Sequence, residues 1–463
     1  MSTSPSEAPA SPPPWREVFR GTHGRLTAGL LLLEALVAIE ALIVATILPA
    51  IERDLGGLSL YGWTFTAFTL ASIGSVPIAA RVTDRLGPGP VIAFAVVVYA
   101  AGLLVAAAAP SMLVVVTGRF VQGIGGAGLY TVSIAAVAKT YPERIRPRVM
   151  ALLASMWILP GLAGPVIGSL IAETIGWRWA FLVPVPAILL GVLLVIPALR
   201  RVPAEANEER LPIAPSLLLM AGTAAFLAGV TTIGWATLAL VPLGIAVGLP
   251  GLLRVTPPGT LTARPGIPAA AAAAFLASTA FLAVDGFITL MLTNVRGLSI
   301  AQAGLVVTAA SVSWAGGSWY ESRVVARRGA RRVATLGALV IALGTILVAG
   351  GLVPDLPVLV AYVGWGLGGL GMGIVFPTIP LAVMTEATRG REAGELSSAV
   401  LMDFLGIGVG AGLGNVGLAL AAAGTISLEA GIAGAFGLGL VASLLLAVVA
   451  RRIPDARPLD SAA

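Results

Sequence analysis

Fourteen times along this 463-residue chain, some 20 consecutive residues are almost wholly apolar. That repetition leaves little choice of fold. An apolar stretch that long matches the thickness of a bilayer when wound as a helix, at about 20 residues per crossing. The stretches are residues 26–50, 60–80, 90–109, 112–138, 148–174, 178–199, 213–232, 236–254, 267–293, 301–322, 331–351, 356–383, 396–422 and 428–450. The composition agrees: 57% of the residues are hydrophobic and 11% charged, where soluble domains carry about 25% charged residues. A globule in water has no means of hiding so much apolar surface, whereas a helix in lipid can be apolar all round. The 57 glycines suit helices that must approach closely without a hydrophobic force between them.

The basic residues test the count of spans. Short cytoplasmic loops collect Lys and Arg. With the N-terminus inside, 24 of the 28 Lys and Arg residues fall on the cytoplasmic side, and only Arg53, Arg178 and Arg296 fall outside. Arg119 alone sits within a span. The bias holds on both sides of residues 213–254, so that stretch must cross an even number of times; a pair of crossings fits, and both termini are expected in the cytoplasm. The charge of +6 is thereby a membrane-orientation signal, and no nucleic-acid partner is expected. The first 14 residues, rich in Pro and Ser, are expected to be disordered, and they lack the apolar core of a signal peptide.

Cysteine is absent and His23 is the single histidine. Disulfides, thiolate metal sites and histidine metal clusters are excluded on that ground. A membrane enzyme would want clustered ligands at one face, and a channel a repeated polar pore lining; neither pattern is present. A receptor or scaffold would leave the intramembrane acids unexplained.

The chain also repeats itself. Arg81-Val82-Thr83-Asp84-Arg85-Leu86-Gly87 returns as Arg323-Val324-Val325-Ala326-Arg327-Arg328-Gly329. Gln122-Gly123-Ile124-Gly125-Gly126-Ala127-Gly128 returns as Trp365-Gly366-Leu367-Gly368-Gly369-Leu370-Gly371, and Gly57-Leu58-Ser59 as Gly297-Leu298-Ser299. In the same register Glu40 falls beside Asp285. Two parallel six-helix halves are implied, spans 1–6 and 9–14, with spans 7 and 8 as an inserted hairpin. Such halves place a substrate site between them at mid-membrane. The expected division is a tail over 1–25, a six-helix bundle over 26–200, linkers and the inserted pair over 201–266, a second bundle over 267–450 and a tail over 451–463.

These motifs make the chain resemble the major facilitator superfamily, in its fourteen-span drug:proton antiporter branch, from residue 26 to 450. Residues 81–87 look like its loop motif between spans 2 and 3. Arg119 with Gln122, Gly123, Gly125 and Gly126 looks like its span 4 motif. Gly161, Gly164, Pro165 and Gly168 look like its span 5 antiporter motif, and Glu40, ahead of Pro49, stands where the branch places an aspartate. The run from Gly176 through Trp177 and Arg178 to Phe181 is similar as well. Two departures bear on gating: Pro88 and Gly89 replace the basic end of the loop motif, and Ala45 replaces a small polar residue. The resemblance implies an all-α major facilitator fold, a proton-coupling role for Arg119, a gating role for Asp84, Arg85 and Gly87, and docking of Asp84 at the N-terminus of span 13.

Chemistry is expected from charged groups in oil, each of which costs at least ~2.5–3.5 kcal/mol at mid-membrane. Four acids qualify: Glu34 and Glu40 in span 1, Asp285 in span 9 and Asp403 in span 13. Glu40 and Asp285 lie near mid-depth in the helices that open the two repeats, which are expected to face a central cavity. A carboxylate in low dielectric tends to hold its proton, and a cation beside it expels that proton. Glu40 is expected to be the main coupling acid and Asp285 its partner. Each acid also has a plain structural explanation, pairing with a polar neighbour; Asp403 has a further one, serving the cytoplasmic gate. Trp157, Trp314 and Trp365 are candidates to stack on an aromatic or cationic cargo, or to pack against lipid and neighbouring helices.

The function expected is export of small lipophilic compounds, cationic ones included, in exchange for protons. A dedicated exporter of one metabolite or lipid, or an uptake symporter, are the alternatives within transport. The expected partners are cargo, protons and membrane lipids around a monomer in the plasma membrane, with the proton gradient in place of any cofactor.

Overall fold

The structure is a computed structural model that describes residues 18–142, 145–146, 149, 152–153, 156, 158–200, 202–204, 213–232, 234–386 and 392–455. Segment 1–17, Trp157, and Arg144, Arg148, Arg201, Arg210, Arg389, Arg391 and Arg457 lie outside the described residues. The described chain is helical, with no strand among those residues. This follows from the solvent: oil offers no partner to a backbone N–H or C=O, so each segment must satisfy its own.

The helices are α1 (Gly21–Leu55), α2 (Trp63–Leu86), α3 (Pro88–Ala107), α4 (Met112–Thr140), α5 (Ile158–Thr174) and α6 (Arg178–Leu199). Then come the hairpin α7 (Ile213–Thr231) and α8 (Ala236–Val255), followed by α9 (Ile267–Leu290), α10 (Ile300–Arg328), α11 (Ala330–Gly350), α12 (Leu359–Glu386), α13 (Glu392–Ala422) and α14 (Leu428–Val449). Thirteen spans among the described residues are long and apolar enough to cross a membrane. The exception to the expected fourteen is the fifth: α5 is 17 residues long, where the sequence pattern predicts a span over 148–174. Residues 213–254 form two helices packed on each other, as the arginine pattern requires.

Helix ends are set by backbone, and apolarity alone misplaces them. The apolar pattern puts Asp84 and Arg85 in a loop; they lie instead in the last turn of α2, which runs on to Leu86. The helix stops only where Gly87 takes φ 79°, and Pro88 opens α3. The same break recurs at the repeat: α10 runs to Arg328 and stops at Gly329, also at φ 79°. A residue with a Cβ is strained there. Gly57 (φ 82°) and Gly297 (φ 70°) match in the same way. The repeat is therefore one of conformation as well as letters.

Packing repeats too. α1 packs on α5 and α6, α2 on α4, and α3 on α4 and α6. In the second half α9 packs on α13 and α14, α10 on α12, and α11 on α12 and α14. Glycines carry the closest approaches: Gly344 of α11 lies against Gly364 and Gly368 of α12, and Gly118 of α4 against Gly102 and Ala106 of α3.

The halves join along two seams, α2 with α13 and α5 with α10. Hydrogen bonds tie them at the end of the bundle that holds the turn between α1 and α2. Asn415 of α13 accepts from the Gly62 N–H at 2.8 Å and donates to the Ser59 carbonyl at 2.5 Å. Thr66 donates to the Gly408 carbonyl at 3.0 Å, and Thr289 to the Ala45 carbonyl at 2.9 Å. Glu173 accepts from the Ala301 N–H at 3.0 Å. Nearby, Asp54 accepts from Arg178 at 2.8 Å and from Trp177 at 3.0 Å, which fixes the start of α6 to the end of α1.

A buried ion pair and contacts across the seam

Glu40 turns into its own half. The expectation that it opens onto the space between the halves does not hold: it is 1% exposed and enclosed by α3 and α4. The cause is Arg119, also buried, whose Nη1 donates to Glu40 Oε1 at 2.5 Å. Gln122 Nε2 donates to the same oxygen at 3.3 Å, and Tyr99 donates to Oε2 at 3.1 Å. The guanidinium also reaches Gln122 Oε1 at 2.9 Å and the Thr64 carbonyl at 3.2 Å, and lies 4.7 Å from the centre of the Phe68 ring. Arg119 and Gln122 are three residues apart on α4, so both meet the acid from one helix face. Two opposite charges removed from water hold each other and use up their hydrogen-bonding capacity locally. That is the condition under which a buried pair persists.

The second half has a counterpart built differently. Asp285 of α9 is 7% exposed and accepts from the Trp365 indole N–H of α12 at 2.7 Å. Trp365 aligns with Gln122 in the repeat, so in each half the first helix turns a carboxylate onto the fourth. The indole stacks on Phe281 at 4.8 Å, and Phe281 meets Trp314 edge-on at 5.3 Å. Trp365 is fully buried, and Trp314 packs partly buried against the same core. Both belong to an aromatic cluster around Asp285. Trp157 is beyond the described residues.

A third group lies at the seam. Asp403 of α13 accepts from the Ser278 hydroxyl of α9. Tyr130 of α4 meets Phe404 of α13 edge-on at 6.3 Å, bridging the halves. Tyr130 is eleven residues on from Arg119, hence on the same helix face, yet 39% exposed. Glu34 and Asp403 are half-buried. Glu34, six residues from Glu40, projects from a different face of α1, as the helical period dictates.

The remaining motif residues serve contacts. Gly164 and Gly168 of α5 lie against Leu42 and Ile43 of α1, and the Pro165 carbonyl faces Gly304 of α10. Gly161 lies in α5. Gly87 is buried beside the Val202 carbonyl, Asp84 is half-buried and Arg85 is exposed. Sequence reasoning missed Tyr99, Tyr130, Asn415 and Glu321. Glu321, 5% exposed, accepts from Thr378 at 3.2 Å. It stands one residue before the end of its apolar stretch and reads as a boundary. Asn415 is the single amide of its stretch, and a lone polar group in oil is the available signal.

A family model for the Major Facilitator Superfamily matches residues 30–411. The chain is 25% identical over 391 residues to "Multidrug transporter protein MdtP" of Bacillus subtilis (strain 168), covering 81% of this chain and 71% of that one. It is 28% identical over 412 residues to "Probable multidrug-efflux transporter Rv1634" of Mycobacterium tuberculosis (strain ATCC 25618 / H37Rv), covering 83% and 85%. Among solved structures, the POT family transporter PepTSo superposes with a TM-score of 0.69 at 14% identity, covering 92% of this chain and 98% of that one.

Proposed function

The chain belongs to the major facilitator superfamily, and from that premise we propose that it exports small lipophilic compounds, cationic ones included, in exchange for protons by alternating access. It is a multi-pass membrane protein whose homologues are named multidrug transporters and efflux pumps. The reading places it in the plasma membrane with both termini in the cytoplasm, on the arginine pattern. On that orientation the Asn415 and Thr289 ties join the halves at the outer end, and the reading takes the region of Tyr130, Asp403 and Glu34 as the cytoplasmic entry for cargo.

The observation that carries the proposal is the division of labour among the acids. Glu40 is shut in with Arg119, Gln122 and Tyr99. Asp403, held by Ser278 and next in sequence to Phe404, whose ring meets Tyr130 across the halves, is read as the cargo-facing acid, with Glu34 as its companion. A cation entering there meets carboxylates and π faces, which favour it and displace protons. Glu40 couples the event to the helices: a proton on it loosens its hold on Arg119, which spans α1, α2 and α4 through its bonds. Proton and cargo thus take turns.

The test is transport in inverted vesicles under an imposed pH gradient, with a panel of dyes and antibiotics. Cargo addition is expected to release protons from the lumen, and collapsing the gradient to stop uptake. Accumulation that ignores the gradient would overturn the exchange mechanism.

A further inference from the structure

A proline inside a helix leaves one carbonyl without its partner. Pro49 lies within α1 and offers no N–H to the carbonyl four residues back, that of Ala45. In oil an unpaired carbonyl is costly, so another donor has to reach it. That donor comes from the other half. Thr289 of α9, fully buried, gives its hydroxyl to the Ala45 carbonyl at 2.9 Å. α9 breaks its own bonding at the same place. Its regular turns stop at Leu290, and a π-turn runs over Met291–Val295, where the Arg296 N–H reaches the Met291 carbonyl at 3.1 Å. Thr293 donates to the Thr289 carbonyl at 2.9 Å beside that break. The first helices of the two halves thus touch where each leaves the α-helical pattern, and such breaks are where helices bend.

The chain uses the same device a second time, with a shorter reach. Pro377 of α12 frees the Gly373 carbonyl, and Ser318 of α10 donates to it at 3.1 Å. Both helices of that bond belong to the C-terminal half, so it survives any movement of one half against the other. The Thr289 bond joins the halves and breaks when they part at that end. The Ala45 carbonyl then needs a new donor, and water entering the gap is the one available.

We propose that Pro49 is a positioning residue for the transport cycle: it keeps the Ala45 carbonyl free to accept from Thr289, and the bond latches α1 to α9 at the outer end until water replaces it. The proposal rests on alternating access as the function of the two halves. Pro49 and Thr289 then act through one oxygen atom, and their effects cannot be independent.

The chain has no cysteine, so a single introduced one reports without background. Thr46 is fully buried, and a methyl on Gly304 of α10 would lie 2.8 Å from its Cγ2, across the seam. Protein carrying Thr46→Cys is placed in lipid nanodiscs and labelled with a hydrophilic maleimide. Neither cargo nor a pH gradient is present, so the result stands apart from whether any compound is exported. Thr289→Val is expected to raise the labelling rate about three- to tenfold, the weight of one lost hydrogen bond, and Thr289→Ser to leave it at the parent's value. Pro49→Ala offers the Ala45 carbonyl a partner within α1 and is expected to raise the rate by a similar factor. The double variant is expected to stay within about twofold of the faster single variant, because the second change finds the bond already gone. Ser318→Ala removes the matching bond inside one half and is expected to leave the rate unchanged. Factors that multiply in the double variant, no rise in either single variant, or an equal rise with Ser318→Ala would each overturn the assignment.

Discussion

Replacing Glu40 tests the coupling site most directly, because structure and coupling predict different rankings. Glu40→Ala leaves the Arg119 guanidinium buried with Gln122 Oε1, the Thr64 carbonyl and the Phe68 face, and no counter-charge. Removing one partner of a buried pair costs about 3–5 kcal/mol. Glu40→Gln keeps the shape and offers Arg119 a neutral acceptor. Its cost is the gap between a charge-assisted and a neutral hydrogen bond, about 1–2 kcal/mol. The double variant Glu40→Leu with Arg119→Met removes both charges at similar volume, and such replacements are often neutral or stabilising. Thermal unfolding of purified protein in lipid is therefore expected to rank Glu40→Ala below Glu40→Gln, with the double variant above the sum of its parts. Proton flux in vesicles is expected to be lost in all three. If Glu40→Gln exports cargo with the parent's dependence on the gradient, Glu40 is a structural strut and the coupling argument fails. Equal stability of the Ala and Gln variants would refute the energetic reasoning.

Other outcomes follow from the remaining contacts. Asp403→Asn keeps an acceptor for Ser278 and is expected to lose export of cationic dyes while sparing neutral cargo; an equal loss of both would detach Asp403 from cargo charge. Trp365→Phe keeps a ring against Phe281 but removes the N–H held by Asp285, and is expected to lower stability by about 1–3 kcal/mol, read from the unfolding midpoint. Asn415→Leu severs the bonds to Gly62 and Ser59 and is expected to bias the protein toward an open outer end, read as at least tenfold faster labelling of a Ser59→Cys reporter.

Much of the architecture was legible because oil enforces it. Apolar length gave the helices, arginine gave the even crossing of 213–254, and the matching runs at 81–87 and 323–329 gave the repeat. What stayed hidden was direction. A helix apolar on every side carries no face from which to read where a lone acid points, so Glu40 was legible as an intramembrane charge but not as a residue turned onto Arg119. Its partners come from α3 and α4, and no spacing within α1 encodes them. Helix ends failed for a related reason. Apolarity measures the oil, while α2 continues through charged residues until a left-handed glycine stops it.

The lopsided pairing of the halves has an electrical corollary. Glu40 and Arg119 form a neutral couple, so a voltage across the membrane exerts opposing forces on them and little on the pair. Asp285 faces an indole. When ionised, it is a net charge in the interior, on which 100 mV acts with up to about 2.3 kcal/mol if the whole field is crossed. Replacing Asp285 with Asn is then expected to reduce the sensitivity of turnover to membrane potential while leaving the response to acidity alone in place.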